Sequence, residues 1–363
     1  MEDFKLKNVY NPELVSSLAR LLHEQIPTFP TQNFVKSVLD SDWETRELKE
    51  RMRHIAVCLR DFLPSDYGEA LRILRMIAPS CVGFPYLFFP DFVEQYGVEQ
   101  EEISLSALEL FTQFSSSEFA IRPFIMRNPE RIMVQMLDWA ADPNYHVRRL
   151  ASEGCRPRLP WGMALKAFQR DPAPILPILE RLKADESEYV RRSVANNLND
   201  IAKDHPDLVL EIASRWKGVN TDTDRIIKHA LRTLLKRGNP EALALFGFFG
   251  NIAIHVSHLR FYTASVAIGA STMFSFDIVS EKGGDIRVEY GVYYVKASGE
   301  TVRKIFFIHE KPYNAGETLS ITRKISFQQR TTRKHYAGEH RLVVIVNGKE
   351  LAETNIQVLP SNN

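Results

Sequence analysis

The chain has 363 residues, of which 44% are hydrophobic and 25% charged, and its net charge at neutral pH is +1. These are ordinary values for a globular protein, and the overall charge gives no sign of a polyanionic partner. The charge is nevertheless uneven along the chain. Residues 251–363 hold 14 Lys and Arg against 10 Asp and Glu, so the C-terminal part is the more basic one.

Cysteine and apolar patterns exclude further classes of protein. The three cysteines are scattered without a CxxC pair, so a disulfide framework is not expected and a reducing cytosol is favoured. The first residues, MEDFKLKNVYNPEL, lack the apolar core of a secretory signal. The most apolar stretch, residues 78–93, is interrupted by three prolines and is too short to span a membrane. We therefore expect a cytoplasmic protein.

The first two thirds of the chain are predicted to be helical. Apolar residues recur at spacings of three and four residues over 12–24, 33–39, 44–63 and 67–77. The third of these helices is expected to begin with Ser41 or Asp42 as its N-cap, because acidic residues follow in the first turn.

A helix-start signal then recurs along the chain. A residue followed by proline occurs at Asn128-Pro129, Asp171-Pro172, His205-Pro206 and Asn239-Pro240, with separations of 43, 34 and 34 residues. A second helix follows each of the first three starts. Helix pairs at this period predict an α-solenoid of the HEAT type, whose curved stack presents a concave binding surface.

The second helices of three repeats align when Val147, Val190 and Ile226 are placed in correspondence. At about 100° per residue, the middle helix is predicted to bury one stripe of side chains. This stripe consists of Val190, Val194, Leu198 and Ile201. The opposite face is predicted to carry Arg192, Asn196, Asn199 and Lys203, with Asp200 at its margin. The matching outward residues are Arg149, Glu153 and Arg156 in the preceding helix and Lys228, Arg232 and Lys236 in the following one.

The alignment produces two rows of side chains across three neighbouring helices. One row is Arg149, Arg192 and Lys228, and the next is Glu153, Asn196 and Arg232. Helices pack roughly 10 Å apart, so a cationic row at this spacing can follow a phosphate backbone. Arginine binds phosphate in a bidentate manner, and asparagine can support it. The alternative is that the rows are solvated helix faces whose charges are scattered by chance.

Glu153 and Asp200 lie within this predicted cationic field. They oppose phosphate binding unless they serve another purpose. Carboxylates can stabilise a positive sugar or orient a water when a glycosidic bond is hydrolysed. The alternative is that both simply form ion pairs with neighbouring arginines or with Lys203.

Glu118 and Trp161 are two further polar or aromatic candidates. Glu118 stands at a helix entry, where the helix dipole alone favours an acid. Trp161 stands between Pro160 and Gly162. Its ring can stack on a base or a sugar, or it can fill the gap between two repeats.

After about residue 252 the pattern changes to the alternation that is typical of strands. Seven short segments show it, and glycine-bearing turns separate several of them. The segments cover residues 255–264, 272–280, 286–296, 303–311, 319–327, 340–348 and 353–359. This number of short strands predicts an immunoglobulin-like sandwich. We therefore expect a helical domain at 1–250 and a β-sandwich at 251–363.

The sequence lacks the signatures of several other enzyme classes. No GxxxxGK[ST], GxGxxG, HExxH or GxSxG motif occurs, and the ten histidines show no metal-ligand spacing. No metal or other cofactor is therefore expected.

Two long motifs make the chain recognisable. VRRLASEGCRPRLPW at 147–161 and VRRSVANNLNDIAKDHPD at 190–207, followed by an all-β tail, resemble the AlkC family of bacterial DNA glycosylases. These are relatives of AlkD among the HEAT-like-repeat alkylpurine glycosylases. The resemblance covers nearly the whole chain. AlkC-type proteins carry a C-terminal immunoglobulin-like domain that AlkD-type proteins lack, and the basic tail with its seven predicted strands agrees with this.

The resemblance implies an activity and an active site. The activity is hydrolysis of the N-glycosidic bond of cationic alkylated bases in DNA, chiefly 3-methyladenine and 3-methylcytosine. Most glycosylases flip the base into a pocket. The resemblance implies that this protein removes the base without flipping it. By motif matching, Glu118, Glu153, Trp161 and Asp200 fall at the family's active-site positions. Glu118 and Asp200 are assigned to the water and the oxocarbenium-like sugar, Glu153 to the same role or to orienting them, and Trp161 to contact with the sugar or lesion.

DNA binding is assigned to cationic and amide side chains in both domains. In the helical domain these are Arg149, Arg156, Arg192, Asn196, Lys228 and Arg232. In the β domain the candidates are Arg323, Lys324, Arg330, Arg333 and Lys334, unless these belong merely to basic loops of a soluble sandwich. We expect a monomer that binds double-stranded DNA and needs no membrane or obligate protein partner. The rival hypothesis is a non-catalytic HEAT-repeat scaffold that binds DNA or protein, and the carboxylates within the cation rows count against it.

Overall fold

The computed structural model of this protein describes residues 5–248, 253–329 and 334–361. Within these residues the N-terminal part is built of α-helices. The first nine are α1 (Pro12–Gln25), α2 (Thr31–Val38), α3 (Leu48–Phe62), α4 (Tyr67–Ile77), α5 (Phe88–Tyr96), α6 (Glu101–Phe114), α7 (Arg122–Arg127), α8 (Pro129–Trp139) and α9 (Tyr145–Gly154). The next seven are α10 (Lys166–Arg170), α11 (Leu176–Leu182), α12 (Glu188–Ile201), α13 (Pro206–Trp216), α14 (Thr221–Ala230), α15 (Arg232–Arg237) and α16 (Pro240–Leu245).

The start of α3 differs from the sequence-based expectation. Residues Trp43–Thr45 form a separate 3-10 turn, and the α-helix begins only at Leu48. Its N-cap is Glu47, which forms a capping box with Glu50, so the expected cap at Ser41 or Asp42 is wrong. The reciprocal bonds between Glu47 and Glu50 satisfy the backbone N–H groups at the helix start, which a cap five or six residues earlier does not do.

The proline starts are confirmed at three of four places. Pro129, Pro206 and Pro240 occupy the first positions of α8, α13 and α16. Pro172 instead precedes a 3-10 turn, Ala173–Ile175, that leads into α11. Proline suits these positions because its missing N–H has no intrahelical partner in the first turn.

The second helices of the repeats, α9, α12 and α14, pack in that order. The predicted stripe of Val190, Val194, Leu198 and Ile201 is buried, which confirms the helical phase of the hydrophobic side of α12. Apolar residues at helical spacing therefore place the repeats correctly. No helix in the described part of the chain has the length and apolarity that a membrane crossing requires.

The C-terminal part is a sandwich of two β-sheets. Its strands are β1 (Ile254–Phe261), β2 (Ser265–Ala267), β3 (Ser271–Ser280), β4 (Gly284–Val295), β5 (Thr301–Tyr313), β6 (Glu317–Ser326), β7 (Gly338–Val346) and β8 (Lys349–Leu359). One sheet has the order β1-β3-β6 and the other β2-β8-β7-β4-β5, with every pairing antiparallel except that of β2 with β8. All seven predicted strands are present, and the short β2 is added to them.

The sandwich buries alternate side chains of both sheets. Phe274, Phe276 and Ile278 of β3 face Val292 of β4 and Val344 of β7 in one apolar cluster. Alternation with period two is what two packed sheets require. The predicted fold class, a HEAT-like α-solenoid followed by an immunoglobulin-like β-sandwich, is confirmed.

The described chain divides into two compact units. The first consists of residues 5–209 and 215–230 and contains α1 to α12 and α14. The second consists of residues 210–214 and the described residues from Leu231 onward, and contains α15, α16 and the sandwich. The change of sequence period near residue 252 marks the change of secondary structure, whereas the compact units separate at Leu231.

Candidate active site

The polar face of α9 is largely buried. The prediction that Arg149, Glu153 and Arg156 face outward is wrong, because Glu153 and Arg156 are buried and the Arg149 side chain is only 12% exposed. On α12, Asn199 and Asp200 are buried as well. A helical wheel reveals only the apolar stripe, whereas α9 is also covered by α6, α8, α11 and α12. Charged residues can be buried there because they are paired with one another.

Three acids and three cations alternate along one continuous line of contacts, which we call the ion-pair chain. In order, its members are Glu118, Arg149, Glu153, Arg156, Asp200 and Lys203. They come from the segment before α7, from α9 and the residues after it, and from α12 with the residues after it. Tertiary packing thus brings together the three carboxylates that the sequence singled out.

Glu118 begins the ion-pair chain. Arg149 Nη1 donates to Glu118 Oε2 at 3.1 Å and to Ser116 Oγ at 2.8 Å. Ser116 Oγ also donates to Glu118 Oε2 in a short hydrogen bond. The Arg149 guanidinium lies over the Tyr189 ring, with its carbon 4.9 Å from the ring centroid. Glu118 therefore has a fixed orientation while its side chain stays 12% exposed.

Glu153 is the middle carboxylate. Arg156 Nη1 donates to its Oε1 at 2.6 Å, and Ser193 Oγ of α12 donates to its Oε2 at 2.7 Å. Arg149 Nη2 lies 3.5 Å from Oε1. The predicted row aligned Glu153 with Asn196, whereas the residue of α12 that contacts Glu153 is Ser193, one helical turn earlier. Long helical side chains lean toward the N-terminus of their helix, and a sequence alignment does not include this tilt.

Asp200 is the last carboxylate of the ion-pair chain, and it is the most enclosed of the three. Its Oδ2 accepts from Arg156 Nε at 2.9 Å and its Oδ1 accepts from Lys203 Nζ at 2.8 Å. The side chain is only 2% exposed. Both oxygens are thus engaged, and Asp200 reaches the rest of the site through Arg156.

Both arginines of the ion-pair chain are strongly held as cations. Burial by itself lowers the pKa of Arg149, but attraction to Glu118 and Glu153 outweighs burial and raises that pKa above its ordinary value. The pKa of Arg156 is raised in the same way, with Glu153 and Asp200 outweighing burial. In this structure the two guanidinium groups neutralise carboxylates, and phosphate binding by Arg149 and Arg156 stays a prediction.

A cavity of about 460 Å³ opens beside the ion-pair chain. Much of its wall is apolar, and its lining includes Phe84, Leu87, Phe114, Phe119, Leu159 and Tyr189. Glu118, Glu153, Arg156 and Trp161 line the same cavity, whereas Asp200 does not. An apolar wall with a few convergent charged groups is typical of a site at which a ligand is oriented and water is restricted.

Trp161 stands out at the edge of this cavity. Its indole side chain is exposed, at 64% of the residue, and its backbone φ is 63°, in the left-handed region that non-glycine residues rarely adopt. Lys49 Nζ of α3 donates to the Trp161 carbonyl at 2.7 Å. The exposure excludes the interpretation in which this ring fills a gap between repeats.

The other predicted DNA-binding residues lie outside the cavity. Arg192 is exposed and pairs with Glu188 at 3.4 Å, and Asn196 Oδ1 lies 3.0 Å from His229 Nε2. Lys228 is exposed on α14 and Arg232 is half-buried on α15 of the second unit. In the β domain Arg323, Lys324 and Lys334 are exposed, whereas Arg330 and Arg333 lie outside the described residues. The DNA-binding roles of all these residues stay predictions.

Comparisons with known proteins cover the whole chain. Residues 110–234 match the family described as "DNA alkylation repair enzyme", and residues 255–360 match the C-terminal Ig-like domain of "Uncharacterised protein YhaZ". The chain is 49% identical over 353 residues to "Uncharacterized protein YhaZ" of Bacillus subtilis strain 168, covering 97% of this chain and 99% of that protein.

A solved structure is similar along its entire length. It is the alkylpurine DNA glycosylase AlkC of Pseudomonas fluorescens, bound to DNA containing an abasic site analog. The TM-score is 0.94 and the identity 38%, covering 98% of this chain and 100% of that one. This chain belongs to the AlkC/YhaZ family.

In this AlkC/YhaZ family member, two kinds of site residue escaped the sequence reasoning. Ser116, Tyr189 and Ser193 hold the ion-pair chain through hydrogen bonds or ring contact, and no motif or spacing in the sequence distinguishes them. Arg122, the first residue of α7, is fully buried and contacts the segment that carries Trp161. An arginine followed by proline at a helix start carries no signal for such burial. Among the described residues, no cluster of His, Cys, Asp or Glu is suited to hold a metal ion.

Proposed function

We propose that this protein is a monofunctional DNA glycosylase of base excision repair. It hydrolyses the N-glycosidic bond of cationic N3-alkylated bases, 3-methyladenine and 3-methylcytosine, in double-stranded DNA without flipping the base. The observation that carries the proposal is the line of Glu118, Glu153 and Asp200 beside a cavity that Trp161 borders. It stands in a chain similar throughout to an alkylpurine DNA glycosylase, AlkC, whose bound DNA contains an analog of an abasic site. An abasic site is what remains after a glycosylase has removed a base.

The chemistry needs little general acid catalysis. A base alkylated at N3 already carries a positive charge and leaves without being protonated. The bond breaks with the sugar approaching an oxocarbenium ion, so negative charge held near the sugar lowers the barrier. Glu118 and Glu153 line the cavity and supply that charge, and one of them orients the attacking water. The electron-rich face of Trp161 adds cation–π attraction to the cationic lesion or sugar.

In this proposal Asp200 acts indirectly, through Arg156. Its carboxylate holds Arg156, which in turn holds Glu153. Fixed dipoles and charges stabilise a transition state only when they need not reorganise during the reaction. Asp200 therefore contributes by fixing Arg156 and, through it, the orientation of the Glu153 carboxylate. Arg192, Asn196, Lys228, Arg232 and the basic residues Arg330, Arg333 and Lys334 of the β domain hold the DNA phosphates.

The proposed activity is tested by release of free bases from methylated duplex DNA. We expect 3-methyladenine and 3-methylcytosine to be released without added metal or cofactor, with 7-methylguanine scored separately as a comparison. Sodium borohydride should trap no covalent complex with DNA, because a monofunctional enzyme forms no Schiff base with lysine. A purified protein that binds the duplex but releases no methylated base would show that the enzyme assignment is wrong.

Carboxylate variants test the site. Glu118→Gln and Asp200→Asn keep the size of each side chain and remove the charge, and we expect each to lower the rate of base release roughly 100-fold or more, as loss of one charge-stabilising group does in other enzymes. Asp204→Asn is the matched control. Asp204 lies one turn beyond Asp200 and pairs with Arg158 at 2.6 Å, outside the ion-pair chain. Equal activity of the Asp200 and Asp204 variants would remove Asp200 from the mechanism.

A further inference from the structure

Arg122 is a fully buried cation that makes no ion pair within the described residues. Its guanidinium instead donates to three backbone carbonyls. Nε donates to Met163 O at 2.6 Å, Nη1 to Gly154 O at 2.8 Å and Nη2 to Arg156 O at 2.9 Å. All three acceptors belong to residues 154–163, which run from the last residue of α9 into the loop before α10 and which we call the Trp161 segment.

This arrangement suits arginine and few other side chains. The planar guanidinium offers five N–H donors in a fixed fork, so it can bind three carbonyls that converge from one loop. A carbonyl buried without a donor is destabilising, so loss of the fork destabilises the loop at several points. Burial lowers the pKa of Arg122 to about 10, which leaves it protonated at neutral pH with all five donors.

The Trp161 segment has a second point of attachment. Lys49 of α3 donates to the Trp161 carbonyl at 2.7 Å, and its Nζ lies 4.9 Å from the centroid of the Phe119 ring. Trp161 itself, with its left-handed backbone, lies between the Arg122 contacts at Arg156 and Met163. Such a conformation is unfavourable for a residue with a side chain, so it persists only where the surroundings enforce it.

The attachments connect parts of the proposed active site. Arg122 lies four residues after Glu118, and the segment that it binds carries both Arg156 and Trp161. One guanidinium thus connects α7, just after a cavity carboxylate, to the backbone on both sides of Trp161, at Arg156 and Met163. Resting on the proposed glycosylase function, we infer that Arg122 is a positioning residue that, with Lys49, holds Trp161 in the conformation in which its indole meets the DNA.

The inference predicts a specific kinetic effect. Arg122→Lys keeps the positive charge but replaces the planar fork with a single ammonium group, and Arg122→Met removes every donor. We expect the single-turnover rate of base release to fall roughly 10- to 100-fold, the range that results when a reacting group is misplaced by about 1 Å. Affinity for undamaged duplex DNA should change less than about twofold, because Arg122 is buried and touches no phosphate. Lysine should retain more activity than methionine.

Arg51 provides the matched control. It is also buried and donates to the carbonyls of Tyr10 and Arg46, near the start of the chain and away from the cavity. Arg51→Lys should lower stability as Arg122→Lys does, yet leave the rate of base release per folded molecule unchanged. If both variants lose activity in proportion to folded protein, Arg122 is merely structural and the inference is overturned.

Tryptophan fluorescence tests the inference without relying on catalysis. Trp161 is 64% exposed, whereas Trp43, Trp139 and Trp216 are at most 4% exposed, so iodide quenches mainly Trp161. Subtracting a Trp161→Phe variant isolates its signal. We expect Arg122→Lys to raise the iodide quenching constant and to add fast motion to the anisotropy decay of Trp161. An unchanged Trp161 signal would overturn the inference even if base release were lost.

A second variant covers the case in which Arg122 variants do not fold. Lys49 is exposed, and Lys49→Met removes the other attachment of the Trp161 segment. It should mobilise Trp161 and slow base release in the same direction. If Lys49→Met leaves both unchanged and Arg122 variants do not fold, the inference is overturned. If wild-type protein releases no base but Arg122→Lys still mobilises Trp161, the positioning role stands and the proposed function fails.

Discussion

At the scale of single residues, Trp161 combines two unusual properties. Its indole is largely exposed, and its backbone is left-handed, a conformation that a residue with a Cβ atom rarely adopts. Because the ring stays mostly in contact with water, it contributes little hydrophobic free energy to folding, and stability does not explain a tryptophan at this position. Strained backbone conformations cluster at functional sites, so the proposed contact of Trp161 with the sugar or lesion accounts for both properties.

Two substitutions of Trp161 separate the backbone from the ring. Trp161→Ala removes the indole and keeps the strain, whereas Trp161→Gly removes both. We expect the glycine variant to be more stable than the alanine variant by about 1 kcal/mol, because glycine adopts a positive φ freely. Both should lose base release to a similar extent. Urea unfolding and the base-release assay measure the two effects, and an alanine variant at least as stable as the glycine variant would argue against strain.

At the scale of secondary-structure elements, the β7–β8 hairpin is built around a close glycine contact. Asn347 and Gly348 both have positive φ, of 45° and 79°, the pattern of a tight two-residue hairpin turn. Gly238, the left-handed C-cap of α15, packs against Gly348. A Cβ on Gly348 would lie 2.6 Å from Leu243 Cδ1 and 2.9 Å from Gly238 Cα. The two glycines therefore let the α15–α16 region contact the hairpin within the second unit.

A matched pair of glycine substitutions measures this contact. Gly299 has φ of 81°, close to that of Gly348, but a Cβ there would have nothing within 4 Å. Gly299→Ala should cost about 1 kcal/mol from the backbone conformation alone. Gly348→Ala should cost that amount plus about 1–3 kcal/mol from overpacking. Thermal unfolding measures the difference, and equal shifts in Tm would mean that α15 and α16 do not pack on the hairpin.

At the scale of the whole molecule, stability should depend on pH near neutrality. Burial lowers the pKa of His340, which is fully buried, and burial also lowers the pKa values of His146 and His309. His340 Nε2 accepts from the Val295 N–H at 3.4 Å, and Nδ1 lies 3.1 Å from the Gly338 carbonyl. The ring is thus bonded as a neutral imidazole, and a second proton would face an N–H group.

The direction of the pH effect follows from linkage. Since the folded-state pKa of His340 lies below the unfolded value of about 6.5, the unfolded state binds the proton more readily. Stability is full above about pH 6.5 and falls as pH drops toward the folded-state pKa, with a slope of at most about 1.4 kcal/mol per pH unit for this residue. Urea unfolding between pH 7.5 and 5.5 measures it. His340→Gln should flatten the profile, and an equally steep profile would assign the effect to other groups.

Local patterns in the sequence determined the secondary structure and the family. Helical and two-residue periods depend on neighbours within a few positions, so the α12 stripe and all seven expected strands could be predicted. Glu118, Glu153, Asp200 and Trp161 could also be singled out, because acids among cations and a tryptophan between proline and glycine are visible in the letters themselves. The N-cap of α3 could not be located from the sequence, because Ser41 or Asp42 and Glu47 are competing cap residues only a few positions apart.

Only the tertiary structure decided which polar residues are buried. The sequence predicts Arg149 and Arg156 as outward-facing cations, yet both lie between carboxylates. A charged side chain can be buried when an oppositely charged partner neutralises it, and here such partners lie 31 and 44 residues away in the chain. Arg122 is buried without such a partner, and its donors are instead satisfied by three carbonyls 32 to 41 residues away. The Trp161 carbonyl likewise accepts a hydrogen bond from Lys49, 112 residues distant. Periodicity reports which side of a helix is apolar, whereas pairing across helices decides where its charges lie.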